Sequence, residues 1–534
     1  MYTDKMKELI KIVEATRPER IGIDYEKMSP EEKTEVLNEN HPDYKETGFE
    51  TLRVGVNKGF KVPTELQQLL EAKSRILENE EINLSKIDYE TDVLIIGGGG
   101  AGASAALEAH KAGAKILIAT KLRFGDANTM MAEGGIQSAD KLDDSPAQHY
   151  LDVMGGGHYS NIPKLAETLV KDAPQAIKWL NDLGVMFDKD EEGNMVTTHG
   201  GGTSRKRMHA AADYTGAEIM RVLRDEVQSK EIEILEFSPA VELILDSDKK
   251  VAGAILYNLE TEEYLVVKAK TVILATGGAG RLHYQGFPTS NHYGATADGL
   301  ILGYRAGAKF AFVDTIQYHP TGAAFPAQIF GALVTEKVRS LGATPLNIEG
   351  KQFVHHLETR DVEASAIIRE CKIRNKGIET PNGGEAIWLD TPLIEILHGK
   401  GMIEKSIPAM FKMYEKFGID MRKDPILIYP TLHYQNGGIL IDENGKTDIE
   451  NLYVAGECAG GIHGKNRLMG NSLLDIIVYG RRAGKHAASK APKVVLKELN
   501  LNHVKRYNEE MNENNIKTEK VSPLLLPIYR HGKE

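Results

Sequence analysis

Two histidines, three arginines and a glutamate stand out in the second half of this chain because they lie among glycines in five short segments. For any one of them alone, an ordinary surface position is the better interpretation. The chain of 534 residues is acidic, with a formal net charge of -11. Cations beside Gly and Pro on loops therefore predict a local pocket for a small anion. The segments are Gln317-Tyr318-His319-Pro320-Thr321-Gly322, Thr335-Glu336-Lys337-Val338-Arg339, Thr359-Arg360-Asp361, Thr431-Leu432-His433-Tyr434 and Asn466-Arg467-Leu468-Met469-Gly470-Asn471-Ser472.

A strand, a glycine-rich turn and a helix follow one another from residue 92. The apolar run 93–96 precedes Gly97-Gly98-Gly99-Gly100-Ala101-Gly102, an alanine-rich helix runs to Ala112, and a second strand covers 115–119. In this context G-x-G-x-x-G is a strong dinucleotide signal, since the glycines let the helix start approach a pyrophosphate. The second strand ends at Thr120-Lys121 without the usual acidic residue. The partner of the adenosine ribose therefore stays open at this point.

Two later strands return to the same predicted site. The strand 271–274 ends in Ala275-Thr276-Gly277-Gly278-Ala279-Gly280, and the strand 452–454 ends in Ala455-Gly456-Glu457. This order predicts a large FAD domain that is interrupted by an insertion.

Composition limits the class of protein. The chain is 41% hydrophobic and 26% charged, as in ordinary globular proteins, and its length fits about three or four domains. No apolar run approaches the roughly 20 residues that span a bilayer, and the N-terminus lacks a signal pattern, so we expect a cytoplasmic protein. Negative charge without long Lys/Arg tracts argues against a nucleic-acid partner.

The two cysteines, Cys371 and Cys458, lie far apart in sequence. Iron–sulfur clusters are usually held by four thiolates, so this chain cannot hold one alone. Electrons for any redox chemistry are expected to arrive through an organic cofactor and from another subunit. We expect both cysteines to be buried, Cys371 just after a helix over 364–370. His355-His356 resembles a metal pair, but adjacent residues on a regular element point apart, and we predict no metal.

Both ends of the chain have a different character from the middle. Residues 1–89 predict a polar, helix-rich extension, with helix starts at Ser29-Pro30-Glu31-Glu32 and at Thr64-Glu65-Leu66-Gln67, the second before apolar positions that end at Leu77. The extension is either a packing arm on its own protein or a docking surface for a partner. After about residue 486 we expect one short helix and an extended end that closes on Pro523-Leu524-Leu525-Leu526-Pro527.

Together these segments resemble the flavoprotein subunit of the fumarate reductase/succinate dehydrogenase family, which includes L-aspartate oxidase. The resemblance covers about residues 90–486 and rests also on Ala132-Glu133-Gly134-Gly135 and His209-Ala210-Ala211-Ala212-Asp213. In that family a Ser-Lys pair often replaces the ribose-binding acid, so Thr120-Lys121 is compatible with FAD.

The resemblance implies an α/β fold: a doubly wound, Rossmann-like FAD-binding domain with an inserted α+β capping domain. The FAD-binding domain would comprise 90–318 and 429–486, and the capping domain 319–428. The helical N-terminal extension would be 1–89 and the C-terminal tail 487–534.

The resemblance also implies roles for the opening residues. Arg360 would deliver a proton to the substrate, with Glu336 and Arg339 as the relay behind it. The two carboxylates of fumarate or a related C4 dicarboxylate would be held by His319, Thr335, His433 and Arg467. Guanidinium holds its proton tightly, so an arginine acid needs such a relay. In an unrelated protein, Glu336 and Arg339 would be an ordinary i,i+3 surface pair.

FAD is the cofactor that the resemblance implies. Many relatives attach it through a histidine, but the matching position here is Asn128, which predicts non-covalent FAD and favours fumarate reduction over succinate oxidation. The residues expected to bind FAD are Gly97, Gly99, Ala101, Gly102, Thr120, Lys121, Asn128, Thr129, Ala132, Gly134, Gly135, Ala275, Thr276, Gly277, Asp298, Glu457, Asn471, Ser472 and Leu473.

Two departures leave the substrate open. Relatives more often read Arg-Gly-Glu-Gly where this chain has Arg339-Ser340-Leu341-Gly342, and Gln435-Asn436 is atypical after the substrate histidine. The first hypothesis is a fumarate reductase flavosubunit that a separate iron–sulfur protein supplies with electrons. The second is L-aspartate oxidase, although that enzyme places a carboxylate near the substrate amine where this chain has Gly200. The third is an electron-transfer flavin subunit with a vestigial pocket, against which the retained Arg360 argues.

Overall fold

The computed structural model describes residues 2–76 and 82–526. Leu77 of the predicted extension and the end of the predicted tail from Pro527 onward lie outside the described residues. The α-helices are α1 Asp4–Thr16, α2 Pro30–Asn40, α3 Thr64–Leu70, α4 Gly100–Lys111, α5 Pro146–Gly156, α6 Pro163–Asp182, α7 Thr215–Ser229, α8 Asp298–Ala306, α9 Lys337–Ser340, α10 Arg360–Lys372, α11 Pro392–His398, α12 Met402–Ser406, α13 Pro408–Glu415, α14 Asn471–Lys490 and α15 Asn502–Glu513.

The strands form one large sheet, a second smaller sheet and several short pairs. They are β1 Phe49–Thr51, β2 Lys61–Pro63, β3 Lys73–Ser74, β4 Tyr89–Ile96, β5 Ile116–Ala119, β6 Ile136–Gln137, β7 Thr197–Thr198, β8 Met208–His209, β9 Glu233–Leu235, β10 Ala240–Asp246, β11 Val251–Asn258, β12 Glu263–Leu274, β13 Phe310–Ala311, β14 Ile316–Ala323, β15 Pro345–Leu346, β16 Ile378–Glu379, β17 Glu385–Leu389, β18 Ile426–Gln435, β19 Gly438–Leu440, β20 Leu452–Val454, β21 Ala459–Gly460, β22 Leu499–Asn500 and β23 Val521–Ser522.

The main sheet is built around the predicted βαβ unit. Its eight strands lie in the order β22-β10-β11-β12-β4-β5-β9, and β20 pairs with the end of β12. The strands β9, β5, β4, β12 and β20 run parallel, and β10, β11 and β22 form an antiparallel extension. The residues 93–96 and the whole of β5 are buried. A parallel strand that helices cover on both faces has a continuous apolar sequence, and this pattern is the one from which these strands were predicted.

The second sheet carries the segments around His319 and His433. Its strands lie in the order β14-β18-β17-β15 and pair antiparallel, with β16 beside β17. Its apolar face packs with α10 and α13 into a separate core that includes Trp388, Tyr414 and Ile428. The register between β14 and β18 shifts between His319 and Gly322. The domain boundaries given above remain predictions.

The N-terminal extension packs on both cores of its own chain. From α1, Met6, Ile10 and Val13 enter the core of the second sheet, whereas Leu52 and Leu66 enter the core of the main sheet. The capping box at Ser29 is confirmed, with Glu32 as its second half. The second predicted cap is wrong, because α3 begins at Thr64 directly after β2 and no side chain caps it.

The tail is more regular than its composition predicts. Helix α14 continues past 486 to Lys490, α15 follows, and β23 pairs in parallel with β3 of the N-terminal extension. The C-terminal tail therefore pairs with the N-terminal extension.

Two arginines of the extension reach one carboxylate in the second core. Asp390 is fully buried, and it accepts hydrogen bonds from Arg17 (NH2 at 2.8 Å) and from Arg20 (NH2 at 2.6 Å). Because removing one partner leaves buried charges without compensation, we expect Asp390→Ala to lower the free energy of unfolding by roughly 3 kcal/mol. Urea denaturation followed by the fluorescence of the buried Trp388 measures the change in this core. The exposed pair Lys5–Glu379 offers the control, since Glu379→Ala should leave the denaturation midpoint where it is. An equal midpoint for Asp390→Ala and wild type would show that these pairs do not anchor the extension.

Candidate active site

A cleft opens where the parallel strands of the main sheet end. The residues that line it include Ile96 at the end of β4, Ala119 at the end of β5, Ala275 after β12 and Ala455 after β20. The cleft has a volume of about 1290 Å³, including its open mouth. Open α/β sheets bind their ligands at the carboxyl ends of their strands, so the topology places a ligand here.

The glycine turn after β4 fits a dinucleotide pyrophosphate. Gly97 has a φ of +122°, and a Cβ there would lie 2.1 Å from the carbonyl oxygen of Ala275. A Cβ on Gly102 would lie 2.0 Å from the carbonyl oxygen of Gly97, so only glycine lets α4 approach the turn this closely. Helix α4 begins at Gly100 with its amino end at the cleft, where backbone N–H groups and the helix dipole favour a phosphate.

Most of the residues predicted to bind the cofactor lie on the cleft walls, and four lie behind them. Gly134 faces the Met469 side chain, Gly135 faces the backbone of His209, and Asn471 contacts His149 at 3.3 Å; Gly102 packs against the turn. Those on the walls are Gly97, Gly99, Ala101, Thr120, Lys121, Asn128, Thr129, Ala132, Ala275, Thr276, Gly277, Asp298, Glu457, Ser472 and Leu473.

The predicted ribose position carries a buried ion pair. Lys121 Nζ lies 2.6 Å from Asp298 Oδ2 and donates to Thr296 Oγ1 at 2.8 Å. It also donates to the carbonyl oxygen of Leu524, which brings the C-terminal tail to the edge of the cleft. An acidic group is thus present beside this lysine, although it comes from the start of α8 and not from the end of β5.

Asn128, which the resemblance matches to an attachment histidine, has a fully engaged side-chain amide. The side-chain nitrogen donates to Asn291 Oδ1 at 2.7 Å and to Glu457 Oε2 at 3.2 Å, and Oδ1 accepts from the backbone of His292 at 2.6 Å. Burial raises the pKa of Glu457, and the hydrogen bond from the backbone N–H of Gln435 opposes this shift without overcoming it. The loop around Asn291 and His292 lines the cleft without having been predicted. The sequence of this loop contains no recognisable binding motif. The loop reaches the cleft because its backbone hydrogen-bonds to Leu432 of β18.

Two arginines that lie far apart in sequence converge on one amide oxygen. Gln317 Oε1 accepts from Arg360 NH1 at 3.0 Å and from Arg467 NH2 at 2.8 Å. The Gln317 amide donates in turn to Asn466 Oδ1 and to the carbonyl oxygen of Arg467. We call this cluster, together with His319 and His433, the anion pocket. Gln317 belongs to the first of the five segments, but its bridging role was not predicted.

Burial of the two guanidinium groups changes their acidity. Burial, and next the charge of Arg360, lowers the pKa of Arg467 to about 9. Burial also lowers the pKa of Arg360, although Glu336 opposes that shift. Both groups donate to the same oxygen, so their like charges lie close together and repel each other. The pocket therefore gains from a bound anion.

Glu336 lies directly behind Arg360. Its Oε2 accepts from Arg360 Nε at 2.8 Å and lies 3.4 Å from Arg339 NH2, and its Oε1 accepts from the backbone N–H of Gly201. Burial alone would raise the pKa of Glu336, but the charges of Arg360 and Arg339 overcome it and lower the pKa. The structure thus brings together the three residues predicted to form a proton-donating relay, and all three are buried.

The two histidines of the anion pocket are neutral hydrogen-bonding groups. Their rings lie 5.0 Å apart, one from each of the paired strands β14 and β18. Burial, and next the charge of Arg360, lowers the pKa of both His319 and His433 well below the usual value. His319 Nδ1 accepts from the backbone of Thr321 at 3.2 Å, which leaves its Nε2 as the proton-bearing nitrogen. Ser290 Oγ lies 2.8 Å from Nδ1 of His433.

Thr335 and the atypical residues lie beside the pocket. Thr335 is buried, and its hydroxyl oxygen accepts from the backbone of Lys337 at 3.4 Å. Ser340 bonds back to the carbonyl oxygen of Glu336, and Leu341 packs on the second core. The backbone of Gln435 donates to Glu457, and the side-chain amides of Gln435 and Asn436 donate to backbone carbonyl oxygens. The side chains at both atypical positions therefore bond to the surrounding backbone or pack on the core.

The predictions for cysteine and for the histidine pair need one correction each. Both cysteines are buried and free, but Cys371 lies within α10 and not after it. The rings of His355 and His356 stack with centroids 4.7 Å apart, so the expectation that they point apart is wrong, because they lie in a turn. Within residues 2–76 and 82–526, no group of three His, Cys, Asp or Glu residues could hold a metal ion, and no helix is long and apolar enough to cross a membrane.

Comparisons with known proteins agree with this site. The FAD binding domain family matches residues 92–473. One subunit of the CoM/CoB fumarate reductase of Methanothermobacter marburgensis is 38% identical over 414 residues, which cover 76% of this chain and 73% of that protein. L-aspartate oxidase of Streptomyces coelicolor is 33% identical over 404 residues, covering 73% and 67%. The structure of E. coli quinol fumarate reductase matches with a TM-score of 0.72 and 28% identity, over 80% of this chain and 74% of that one.

These matches confirm the resemblance, the fold class and FAD as the cofactor. The glycine turn, the cleft and the buried arginines lie in the matched range. The chain belongs to the FAD-binding flavoprotein family of fumarate reductases, succinate dehydrogenases and L-aspartate oxidases, and it is an FAD-dependent oxidoreductase of that type.

Proposed function

We propose that this protein reduces fumarate, or a closely related C4 dicarboxylate, with Arg360 as the proton donor. The observation that carries the proposal is the convergence of Arg360 and Arg467 on Gln317 Oε1. Two buried cations that share one neutral oxygen form a site for a group with negative charge. A dicarboxylate satisfies both guanidiniums and accepts hydrogen bonds from the neutral imidazoles of His319 and His433.

Bound FAD, when reduced, supplies a hydride to one carbon of the alkene. Arg360 would supply the proton to the other carbon, and Arg467 would stabilise the negative charge that builds on the carboxylate. Burial lowers the pKa of Arg360 and so makes it a stronger acid. Glu336, whose Oε2 lies 2.8 Å from Arg360 Nε, would return a proton to Arg360 after each transfer. Arg360 would thus donate the proton, and Glu336 with Arg339 would replace it.

The electrons would come from a separate iron–sulfur protein. Cys371 and Cys458 are buried in different parts of the chain, so they offer no thiolate set for a cluster. The related protein of Methanothermobacter marburgensis is named as one subunit of its enzyme. Reduced viologen dye replaces the natural donor in the assay, and turnover of fumarate by the isolated protein would support the proposal.

L-aspartate oxidase is the second candidate, and one observation weighs against it. An amino-acid substrate brings an ammonium group, which is costly to bury without a counter-charge. At Gly200, where the oxidase carries a carboxylate, a Cβ would meet the side chains of Met208 and Met469. Oxygen consumption with L-aspartate tests this alternative. FAD-loaded protein that shows neither activity would instead favour the electron-transfer subunit.

Dicarboxylate binding should weaken in alkaline solution. The pKa of Arg467 is lowered to about 9, so the protonated form that binds a dianion is complete below that pH and is lost above it. We expect the Kd for succinate to be constant up to about pH 9 and then to rise about tenfold per pH unit. Titration of the flavin absorbance with succinate measures the Kd. In Arg467→Met this rise should be absent, and a rise that persists in the variant would assign it to another group.

FAD should leave the protein on denaturation. The amide of Asn128 offers no nucleophile for a covalent bond, and its three hydrogen bonds hold it in place. We expect acid precipitation of the yellow protein to give a colourless pellet and a yellow supernatant. A pellet that keeps its flavin absorbance would contradict non-covalent binding, and peptide mapping would then name the attached residue.

A further inference from the structure

Glu363 is a buried carboxyl group to which the reaction as described gives no task. It lies in the first turn of α10, three residues after Arg360 and on the same face of the helix. Its side chain is completely buried, and Oε2 accepts a hydrogen bond from Arg339 NH1. Its Oε1 is buried without a hydrogen-bond partner among the described residues. A carboxyl group in this position is free to carry a proton on that oxygen.

The guanidinium of Arg339 lies between two carboxyl groups. NH1 bonds to Glu363 and also donates to the carbonyl oxygen of His356 at 2.7 Å, and NH2 lies 3.4 Å from Glu336 Oε2. Glu336 in turn bonds to Arg360. The order Arg360, Glu336, Arg339, Glu363 is therefore a chain of charged contacts that leads away from the anion pocket. Its step from Glu336 to Arg339 is an ion pair at 3.4 Å and not a hydrogen bond.

The surroundings of Glu363 favour its neutral form. Burial raises the pKa of Glu363 to about 8. Arg339 opposes the shift, whereas the charges of Glu336 and Glu358 add to it. The ring of His356 is neutral, because burial lowers its pKa to about 4. At neutral pH, Glu363 therefore holds a proton beside an arginine that is already charged.

We propose that Glu363 is the proton reservoir of this relay, an inference that rests on the proposed function. When Arg360 gives its proton to the substrate carbon, Glu336 takes one proton from Arg339 and passes one to Arg360. Arg339 takes its replacement from Glu363 once that carboxyl has turned its protonated oxygen toward Arg339, and Glu363 is left as a carboxylate. One proton moves along the chain, and the electron pair and the second hydrogen come as hydride from reduced flavin. Glu363 acts through Arg339 and does not touch the substrate.

The N-terminal extension lies at the outer end of this chain. Glu358 is buried except for 2% of its side chain, and its Oε2 lies 3.0 Å from Lys33 Nζ of α2. The Lys33 side chain is 32% exposed, so it connects this carboxylate to solvent. Glu358 is near enough for its charge to raise the pKa of Glu363. Glu358 thus brings a partly exposed ion pair into the neighbourhood of Glu363.

The test compares Glu363→Gln, Glu363→Asp and Glu370→Gln in the FAD-loaded protein. Glu370 is the matched control, since it is buried on the same helix but bonds to Arg374 and Asn347. With reduced viologen and fumarate, we expect Glu363→Gln to lower kcat about tenfold, with KM within about twofold and a larger solvent isotope effect. Wild type should lose kcat as pH rises through about 8, and Glu363→Asp should keep such a fall, whereas Glu363→Gln should not. Glu370→Gln should behave as wild type.

Infrared difference spectra give a readout that needs no substrate. Wild type minus Glu363→Gln should show the carbonyl stretch of a protonated carboxyl at about pH 6 and lose it by about pH 10. Burial also raises the pKa of Asp43 and Glu133, but their bands cancel in this difference. Wild type that fails to reduce fumarate would overturn the proposed function, and the infrared band would still report on Glu363. Wild-type kcat, pH profile and isotope effect in Glu363→Gln, or absence of the band, would overturn the reservoir.

Discussion

Arg360→Lys should reduce fumarate turnover by on the order of a thousandfold while FAD stays bound, because the loss of a positioned general acid typically costs 10²–10⁴ in rate. A lysine at this position keeps a positive charge, but it cannot reproduce the fork of Nε to Glu336 and NH1 to Gln317. The reduced-viologen assay measures turnover, and the flavin absorbance measures occupancy. Arg360→Ala should lose at least as much.

Arg369→Lys is the control for this substitution. Arg369 lies on the same helix, in its last turn, and takes no part in the anion pocket. Its variant should keep turnover within about twofold, because Arg369 is half-buried and does not line the cleft. Turnover near the wild-type level in Arg360→Lys or Arg360→Ala would refute the role of Arg360 as the proton donor.

Arg467→Met should weaken dicarboxylate binding by on the order of 100-fold, since truncating one partner of a buried charged contact costs about 2–5 kcal/mol. The same change should leave the substrate-free protein as stable as wild type or more stable. Arg467 is buried, the described residues give it no ion-pair partner, and its side chain lies over the Tyr434 ring at 4.4 Å. Burial, and next the charge of Arg360, lowers the pKa of Arg467, so replacing Arg467 removes a buried charge and its repulsion with Arg360.

Arg207→Met makes the stability part of this prediction specific. Arg207 is equally buried, but it is bonded to the carboxylates of Asp144 and Asp152. Its variant should unfold at a clearly lower urea concentration, because two carboxylates lose their partner. The Kd for succinate and the urea midpoint of each variant give the two measurements. A large loss of stability in Arg467→Met with unchanged Kd would make Arg467 a structural residue.

The sequence was sufficient for the elements that depend on local pattern. The buried runs at 93–96, 116–119 and 271–274 are parallel strands because strands covered on both faces are continuously apolar. Glycines at the end of β4 are required because a side chain there would collide with the backbone of Ala275, and such a requirement leaves a motif. The capping box at Ser29 is likewise a local pattern with a local cause.

Features that depend on contacts between distant segments left no such pattern. Gln317 bridges two arginines only because β14 faces the loop before α14. The positions of these residues along the sequence do not predict that contact. Glu363 looks like an ordinary helical glutamate until Arg339 is seen on one side of it. The loop around Asn291 enters the cleft through the chain's return to β18. His355 and His356 stack because a turn, and not a strand or helix, holds them.

The N-terminal extension shows the same limit. Its helices were predicted from caps and apolar spacing, but their burial on two different cores follows from the tertiary fold. Thr64 was predicted as a cap because Thr64-Glu65-Leu66-Gln67 resembles the pattern at Ser29, yet the preceding strand β2 leads straight into α3. Lys33 and Arg17, which reach buried carboxylates of the second core, read as ordinary surface cations in the sequence.

The reaction of the photoreduced protein with fumarate under anaerobic conditions tests the central claim most directly. The flavin absorbance reports reoxidation, and analysis of the product reports succinate. We predict that fumarate reoxidises the flavin with about one succinate formed per flavin, whereas a monocarboxylic alkene such as crotonate reacts on the order of 100-fold more slowly, since it leaves one arginine without a carboxylate. Reduced flavin that fumarate leaves unchanged, in a protein whose oxidised flavin is reduced by L-aspartate, would contradict the account.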